Sequence, residues 1–258
     1  MSLTFEDRKT TILDQLDKEG KVHVHRLAKQ LNVSTETVRR DLERLEKEGR
    51  LRKVYGGAVR IRAEQTEPPF FKRSLMQQQE KREIGALAAS LIKDGETVLL
   101  DNGTTTLEIM RAIKDRTQVT VITNSVPILN YALNEFRGRV VFAGGEIDPR
   151  VQAAVGPVVH RTLDEFKADK AFISVGGVSL TDGVTDYDLE EAAVSRKMMQ
   201  RAEESLIVAD HTKLGVTTFA KICPLENVSV LLTDAFCPQE WVKGLRERQV
   251  EVMMGARV

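Results

Sequence analysis

Apolar residues recur every three or four positions in three short blocks at the start of the chain. Phe5, Ile12, Leu13 and Leu16 predict a helix over 5–17, and Val24, Leu27, Ala28 and Leu31 predict a second. Val38, Leu42 and Leu45 fall at i, i+4 and i+7 and predict a third, which turns Thr35, Glu36, Arg39, Arg40 and Glu43 outward. The punctuation agrees: Gly20 stands where the first helix should stop, and Gly49 where the third should. Asn32-Val33 makes a tight turn, and Ser34 is a natural N-cap. Thr37 occupies the place where a full capping box would carry Glu or Gln. Leu51-Arg52-Lys53-Val54-Tyr55 then alternates as a strand, and Gly56-Gly57 turns it.

From Lys81 the period changes. Helical spacing over 84–92, 106–113, 128–136, 158–166 and 189–202 alternates with short, wholly apolar runs. Those runs are 97–100, 119–123, 140–143, 171–175, 206–209, 228–233 and 250–254, with one more helix before the last. Strands that are apolar on both sides and separated by amphipathic helices predict a largely parallel sheet covered on both faces. The fold class is therefore α/β: a small N-terminal helical domain with a wing, at 1–58, and a larger α/β domain with a mostly parallel sheet, at 81–258. Between them, 59–80 carries Pro68-Pro69 and Gln77-Gln78-Gln79 and reads as a linker.

Composition narrows the function. The chain has 258 residues, 41% hydrophobic, and no apolar run of the ~20 residues that span a bilayer. Its first residues are charged and polar, which argues against a secretory signal. Cys223 and Cys237 form no CxxC pair, so a reduced cytoplasmic protein without structural zinc is expected. Net charge is zero, but residues 1–62 hold 15 Lys and Arg against 10 Asp and Glu. A surplus of five on the head leaves an equal deficit on the body, so only the head suits a polyanion.

Two helices joined by a short turn, the second capped and basic, fit a helix-turn-helix that enters the major groove of DNA. Arg39 or Arg40 could read guanine by bidentate contact, with the other on phosphate. Ser34, Thr35 and Thr37 offer hydroxyls for phosphate or base edges, and Lys53 and Tyr55 suit backbone contacts from the wing.

The run Val33-Ser34-x-x-Thr37-Val38-Arg39-Arg40-Asp41-Leu42, continued by Leu45, Gly49, Leu51 and Lys53-Val54-Tyr55-Gly56-Gly57-Ala58, resembles the signature of the DeoR family of bacterial transcription regulators. The resemblance implies a winged helix-turn-helix followed by a sugar-phosphate sensor domain. Tyr55 stands where many members carry His.

In the body, polar loops follow the predicted strands. Asp101-Asn102-Gly103-Thr104-Thr105-Thr106 opens a helix whose first amides and hydroxyls could take a phosphate. Asn124-Ser125, Gly144-Gly145, Gly176-Gly177 and Asp210-His211-Thr212-Lys213 end other strands, and ligands in such sheets bind beyond those ends. Asp101, Gly103, Thr104, Thr105, Thr106, Asn124, Ser125, Gly145, Gly176, Gly177, Asp210 and Lys213 are the candidate effector residues. This half resembles the family's sensor domain, which is similar in turn to ribose-5-phosphate isomerase. Asp101-x-Gly103-Thr104-Thr105 looks like the isomerase's phosphate loop and Asp210-x-x-Lys213 like its Asp-x-x-Lys motif.

The expected protein is a repressor of a sugar or polyol catabolic operon, a homo-oligomer (dimer or tetramer) released from double-stranded operator DNA by a phosphorylated effector. Neither cofactor nor metal is expected. The competing reading is an isomerase- or CoA-transferase-like enzyme with Asp101, Asp186, Glu190, Glu191 and Lys213 as acid–base groups. The isomerase's acidic loop and catalytic Glu segment do not align with this chain, which favours binding without turnover.

Overall fold

A computed structural model describes residues 4–19, 21–47, 51–54, 56–60 and 67–256. The expectations placed on Gly20, Gly49 and Tyr55 lie outside the described residues. The chain divides into two compact units, Met1–Thr66 and Glu67–Val258.

The first unit contains α1 (Phe5–Glu19), β1 (Lys21–His23), α2 (Val24–Leu31), α3 (Thr35–Lys47), β2 (Leu51–Val54) and β3 (Gly57–Arg60). Ile12, Leu16, Leu27, Leu31, Val38, Leu42, Leu45 and Leu51 are buried together, so the periodicity does mark one core. β3 pairs antiparallel with β2 and with β1, which makes a three-stranded wing rather than a hairpin. Gly57 must be glycine here, because a Cβ would lie 2.0 Å from the Val22 carbonyl oxygen on β1. β1 is too short to be read from spacing.

The second unit is built on a seven-stranded sheet of order β15-β14-β12-β9-β4-β5-β6, parallel throughout. Its strands are β4 (Thr97–Leu100), β5 (Thr120–Thr123), β6 (Arg139–Phe142), β9 (Ala168–Ser174), β12 (Ala202–Val208), β14 (Val230–Thr233) and β15 (Glu251–Met254). Leu99, Ile122, Ala171, Ile173 and Ile207 face one core, with helices α8 (Pro157–Asp164), α9 (Leu189–Arg201) and α10 (Gln239–Arg246). Val98, Leu100, Val121, Phe172 and Leu206 face the other, with α5 (Gln78–Ser90), α6 (Thr104–Ala112) and α7 (Val126–Glu135). Alternate residues of one strand thus enter different cores, which is why each strand reads as an unbroken apolar run.

Short antiparallel additions decorate this frame. β7 (Glu146–Asp148) pairs β8 (Ala153–Val155), and β10 (Gly177–Ser179), β11 (Gly183–Asp186) and β13 (Ala220–Cys223) form a second small sheet. The interval 59–80 is not one uniform linker. Residues 59 and 60 complete β3, and Glu67 begins the second unit. α4 (Phe70–Leu75) follows Pro68-Pro69, with Phe70 buried in the body. Proline ends a preceding helix but is well suited to stand just before a new one, so the pair marks a start as well as a stop. No helix among the described residues is long and apolar enough to cross a membrane.

The chain runs outward from β4 in both directions: through β5 to β6 on one side, and through β9, β12 and β14 to β15 on the other. β4 and β9 therefore flank the topological switch point, where a crevice opens beyond the strand C-termini.

Candidate functional site

The helix-turn-helix is set by its turn. Asn32 adopts a left-handed conformation (φ 51°) and closes α2, its N–H donating to the Ala28 carbonyl. Asn tolerates that region better than most residues. Ser34 Oγ then accepts from Thr37 N at 3.0 Å and pairs with the Thr37 hydroxyl at 2.9 Å. These two hydroxyls cap α3 before they do anything else. Arg8 grips Asp41 through two hydrogen bonds, of 2.6 and 3.0 Å, and fixes α1 to α3.

On the outer face of α3, Arg39 and Arg40 are exposed. Glu36 lies between them, at 3.6 Å from one guanidinium and 3.7 Å from the other. Pairs this exposed contribute little, so both arginines can exchange Glu36 for DNA. Thr35 is half-buried at the first turn. Lys53, on the wing, meets Glu43 Oε1 at 2.7 Å, and its N–H donates to Glu46. A phosphate must displace Glu43 to use it.

In the body, the switch point is held by Asp101. Its Oδ1 accepts from Ser174 N across the β4–β9 gap at 2.9 Å, and its Oδ2 accepts from Ser195 Oγ of α9 at 3.2 Å. Complete burial pushes the Asp101 carboxyl well above the usual range. Gly103 passes so close to β9 that a Cβ would stand 2.3 Å from the Ser174 side chain. Gly103→Ala should therefore lower stability by about 1–3 kcal/mol. A shift of the denaturation midpoint checks this, and an unmoved midpoint would show that the loop has room.

The hydroxyl of Thr106 donates back to the carbonyls of Asp101 and Gly103, so it stabilises the loop rather than facing a ligand. Thr104 and Thr105 differ. Their side chains make no hydrogen bond, and no side chain caps the start of α6, leaving its first amides without acceptors.

Neighbouring loops converge through Asn102. Its amide donates to Val151 O (2.9 Å) and to Glu191 Oε1 (2.7 Å), and its Oδ1 accepts from Ser125 Oγ (2.8 Å). Ser125 also caps α7. Asn124 donates to Ala154 O at 3.0 Å, while its own Oδ1 is buried without a partner. Asp210 caps the turn His211–Lys213 through Thr212, and Lys213 Nζ lies 5.5 Å from the Tyr187 ring centroid. His211 is held by Asp234 at 3.0 Å.

The glycines divide by role. Gly177 is forced by the Val216 carbonyl, 2.3 Å from where a Cβ would be, and Gly176 packs beside Tyr187 and Thr218. A Cβ on Gly145 would stand against Val158 and Val159 of α8. For Gly145 and Gly177 the structure gives a packing reason where the sequence suggests a ligand.

Glu67, Arg73 and Lys81 were not singled out from the sequence, whereas Asp186 and Glu191 entered only as acid–base groups of the enzyme reading. Arg73 forms an ion pair with Glu67 at 2.5 Å, with exposures of 12% and 15%. Lys81 is buried and donates to the carbonyls of Arg73 (2.5 Å) and Met76 (2.7 Å). Burial lowers its pKa to about 8 against the opposing pull of Asp210. Glu191 and Asp186 are buried, and desolvation, reinforced by neighbouring negative charge, raises both. The charge of Glu67 acts on Asp101, Asp186, Tyr187 and Glu191, while Arg73 and Lys213 act on Glu67. These residues share one electrostatic neighbourhood, assembled from separate segments between positions 67 and 213 of the chain.

A capped helix with Arg39 and Arg40 exposed on its outer face, beside a three-stranded wing and carried on a chain with a separate α/β body, defines a DNA-binding transcriptional regulator. Comparison with known proteins places it more closely. The DeoR-like helix-turn-helix domain matches residues 8–64, and the DeoR C terminal sensor domain matches residues 76–235. The regulator IolR of Bacillus subtilis is 32% identical over 234 residues, 90% of this chain and 92% of its own. The repressor GlcR of the same organism is 32% identical over 249 residues, 96% of each chain. A putative aga operon repressor of Escherichia coli O157:H7 is 31% identical over 250 residues, 96% of this chain and 93% of its own. The chain belongs to the DeoR family of transcriptional regulators. Among solved structures, ribose 5-phosphate isomerase A of Methanocaldococcus jannaschii aligns with 52% of this chain and 53% of its own, at 21% identity and a TM-score of 0.40.

Proposed function

We propose that this regulator represses a sugar or polyol catabolic operon and leaves its operator when a phosphorylated sugar-type effector binds at the β4–β9 switch point. The observation that carries the reading is the start of α6. Among the described residues, the amides of Thr104, Thr105 and Thr106 and the hydroxyls of Thr104 and Thr105 have no partner, at the one edge of the sheet where a ligand is expected. Lys213 supplies the charge for a phosphate, and Lys81 adds to it. Asn102, Asn124, Asp186 and Glu191 suit the hydroxyls of a sugar. Asp101, Gly103, Thr106, Ser125 and Asp210 hold the frame. Relatives named as transcriptional repressors, one of them a putative repressor of an aga operon, support the repressor reading.

The site binds without turning over its ligand. Raised carboxylates occur in active sites, yet Glu191 is tied to Asn102, and Asp186 accepts from Tyr187 N at 2.6 Å. The protein works in the cytoplasm as a dimer or tetramer, because one winged module buries too little surface for operator-grade selectivity. A thermal-shift panel of sugar phosphates and their unphosphorylated sugars tests the effector class. A phosphorylated compound should raise the melting temperature by mass action where its parent sugar does not. Equal shifts from both, or none from any, would remove the phosphate from the account.

A further inference from the structure

We propose that Glu67 is a built-in anion that fills the effector site of the free protein and leaves when a phosphate enters. The proposal rests on the reading of the β4–β9 edge as a phosphate site, and it adds how that site is closed and what opens it.

Five carboxylates share the neighbourhood: Glu67, Asp101, Asp186, Glu191 and Asp210. Four are bonded to the frame. Asp101 accepts from Ser174 N and Ser195, Asp186 from Tyr187 N, Glu191 from Asn102, and Asp210 from Thr212. Glu67 accepts nothing from that frame. Its partner is the Arg73 guanidinium at 2.5 Å; burial raises the Glu67 carboxyl, and the charges of Arg73 and Lys213 oppose that rise. It therefore stands to Arg73 and Lys213 as a ligand phosphate would. A dianion entering beside ionised carboxylates is repelled at close range. Expelling Glu67 removes one of those charges and frees Arg73 in the same step.

The location gives the exchange a consequence. Glu67 is the first residue of the second unit, and its pair with Arg73 anchors the start of that unit. Pro68-Pro69 follows and stiffens the segment, and the Pro68 carbonyl accepts from Arg73 Nε at 3.1 Å. An effector that takes Arg73 loosens that anchor. The requirement to displace a carboxylate also selects phosphorylated ligands over neutral sugars.

The test is calorimetric titration of the full-length protein with inorganic phosphate and with ribose 5-phosphate, using wild type, Glu67→Gln and Glu67→Ala. Ribose serves as the neutral control. If the carboxylate occupies the site nine-tenths of the time, its removal tightens phosphate binding about tenfold. Ribose should show no such gain. Phosphate binding to wild type with equal or weaker binding to both variants overturns the Glu67 proposal and leaves the phosphate site standing. Binding of neither probe to any of the three proteins overturns the site itself. Should both variants fail to fold, a wild-type crystal structure grown with phosphate decides. The proposal requires phosphate at Arg73 and Lys213 with the Glu67 carboxylate displaced, and an intact Glu67–Arg73 pair beside bound phosphate contradicts it.

Discussion

Replacing Arg39 and Arg40 together by alanine lowers operator affinity by roughly a hundredfold or more. A bidentate contact to a base contributes about 1–3 kcal/mol, and 1.4 kcal/mol is tenfold. A lost phosphate contact also flattens the dependence of log K on log salt by about 0.9. Both guanidiniums are exposed, and their pairing with Glu36 at 3.6 and 3.7 Å is too open to resist DNA. The same exposure means the double variant should melt with the wild type, since the core of Val38, Leu42 and Leu45 is untouched. Fluorescence anisotropy with a labelled promoter fragment across a salt series reads both quantities. An unchanged isotherm would remove the outer face of α3 from the DNA contact.

Replacing Lys213 by alanine should leave operator binding intact and abolish release by the effector. Its position is set by Asp210, which caps the turn from which it projects, and its ammonium group sits beside Tyr187. Effector coupling of this kind is typically ~1–3 kcal/mol, a change of roughly 5–150-fold in DNA affinity. On the proposed reading Lys213 carries the phosphate's main counter-charge, so the variant should lose most of that change. The measurement is operator binding with and without the ligand that shifts the wild type. A variant released as readily as the wild type would move the anion elsewhere.

The helix-turn-helix was readable in the sequence because its periodicity, cap and turn residue each point to the same element. The parallel sheet was readable for a different reason: its strands are buried on both faces and stay apolar throughout. Three-residue strands such as β1, β7 and β10 carry no period long enough to detect. α4 was hidden behind two prolines that read as a break. The loop at 101–106 was legible as a candidate, since Gly103 and three threonines lie in one run. Arg73 and Lys81 were not, because they come from separate elements and meet the other groups only through the fold, and Glu191 was legible only as an acid–base group of the enzyme reading. Glycines were the weakest guide. Gly177 follows a strand as a ligand loop would, yet a neighbouring carbonyl is what excludes a side chain there.

The central claim is that the first unit grips duplex DNA and that an anion site in the second adjusts the grip. The most direct measurement is binding of the purified full-length protein to duplex fragments of its own promoter region at low ionic strength, repeated with each sugar phosphate that raises its melting temperature. The account predicts tight, salt-sensitive binding that weakens on addition of at least one of those ligands. Indifference to every promoter fragment, or operator binding that no such ligand alters, would contradict it.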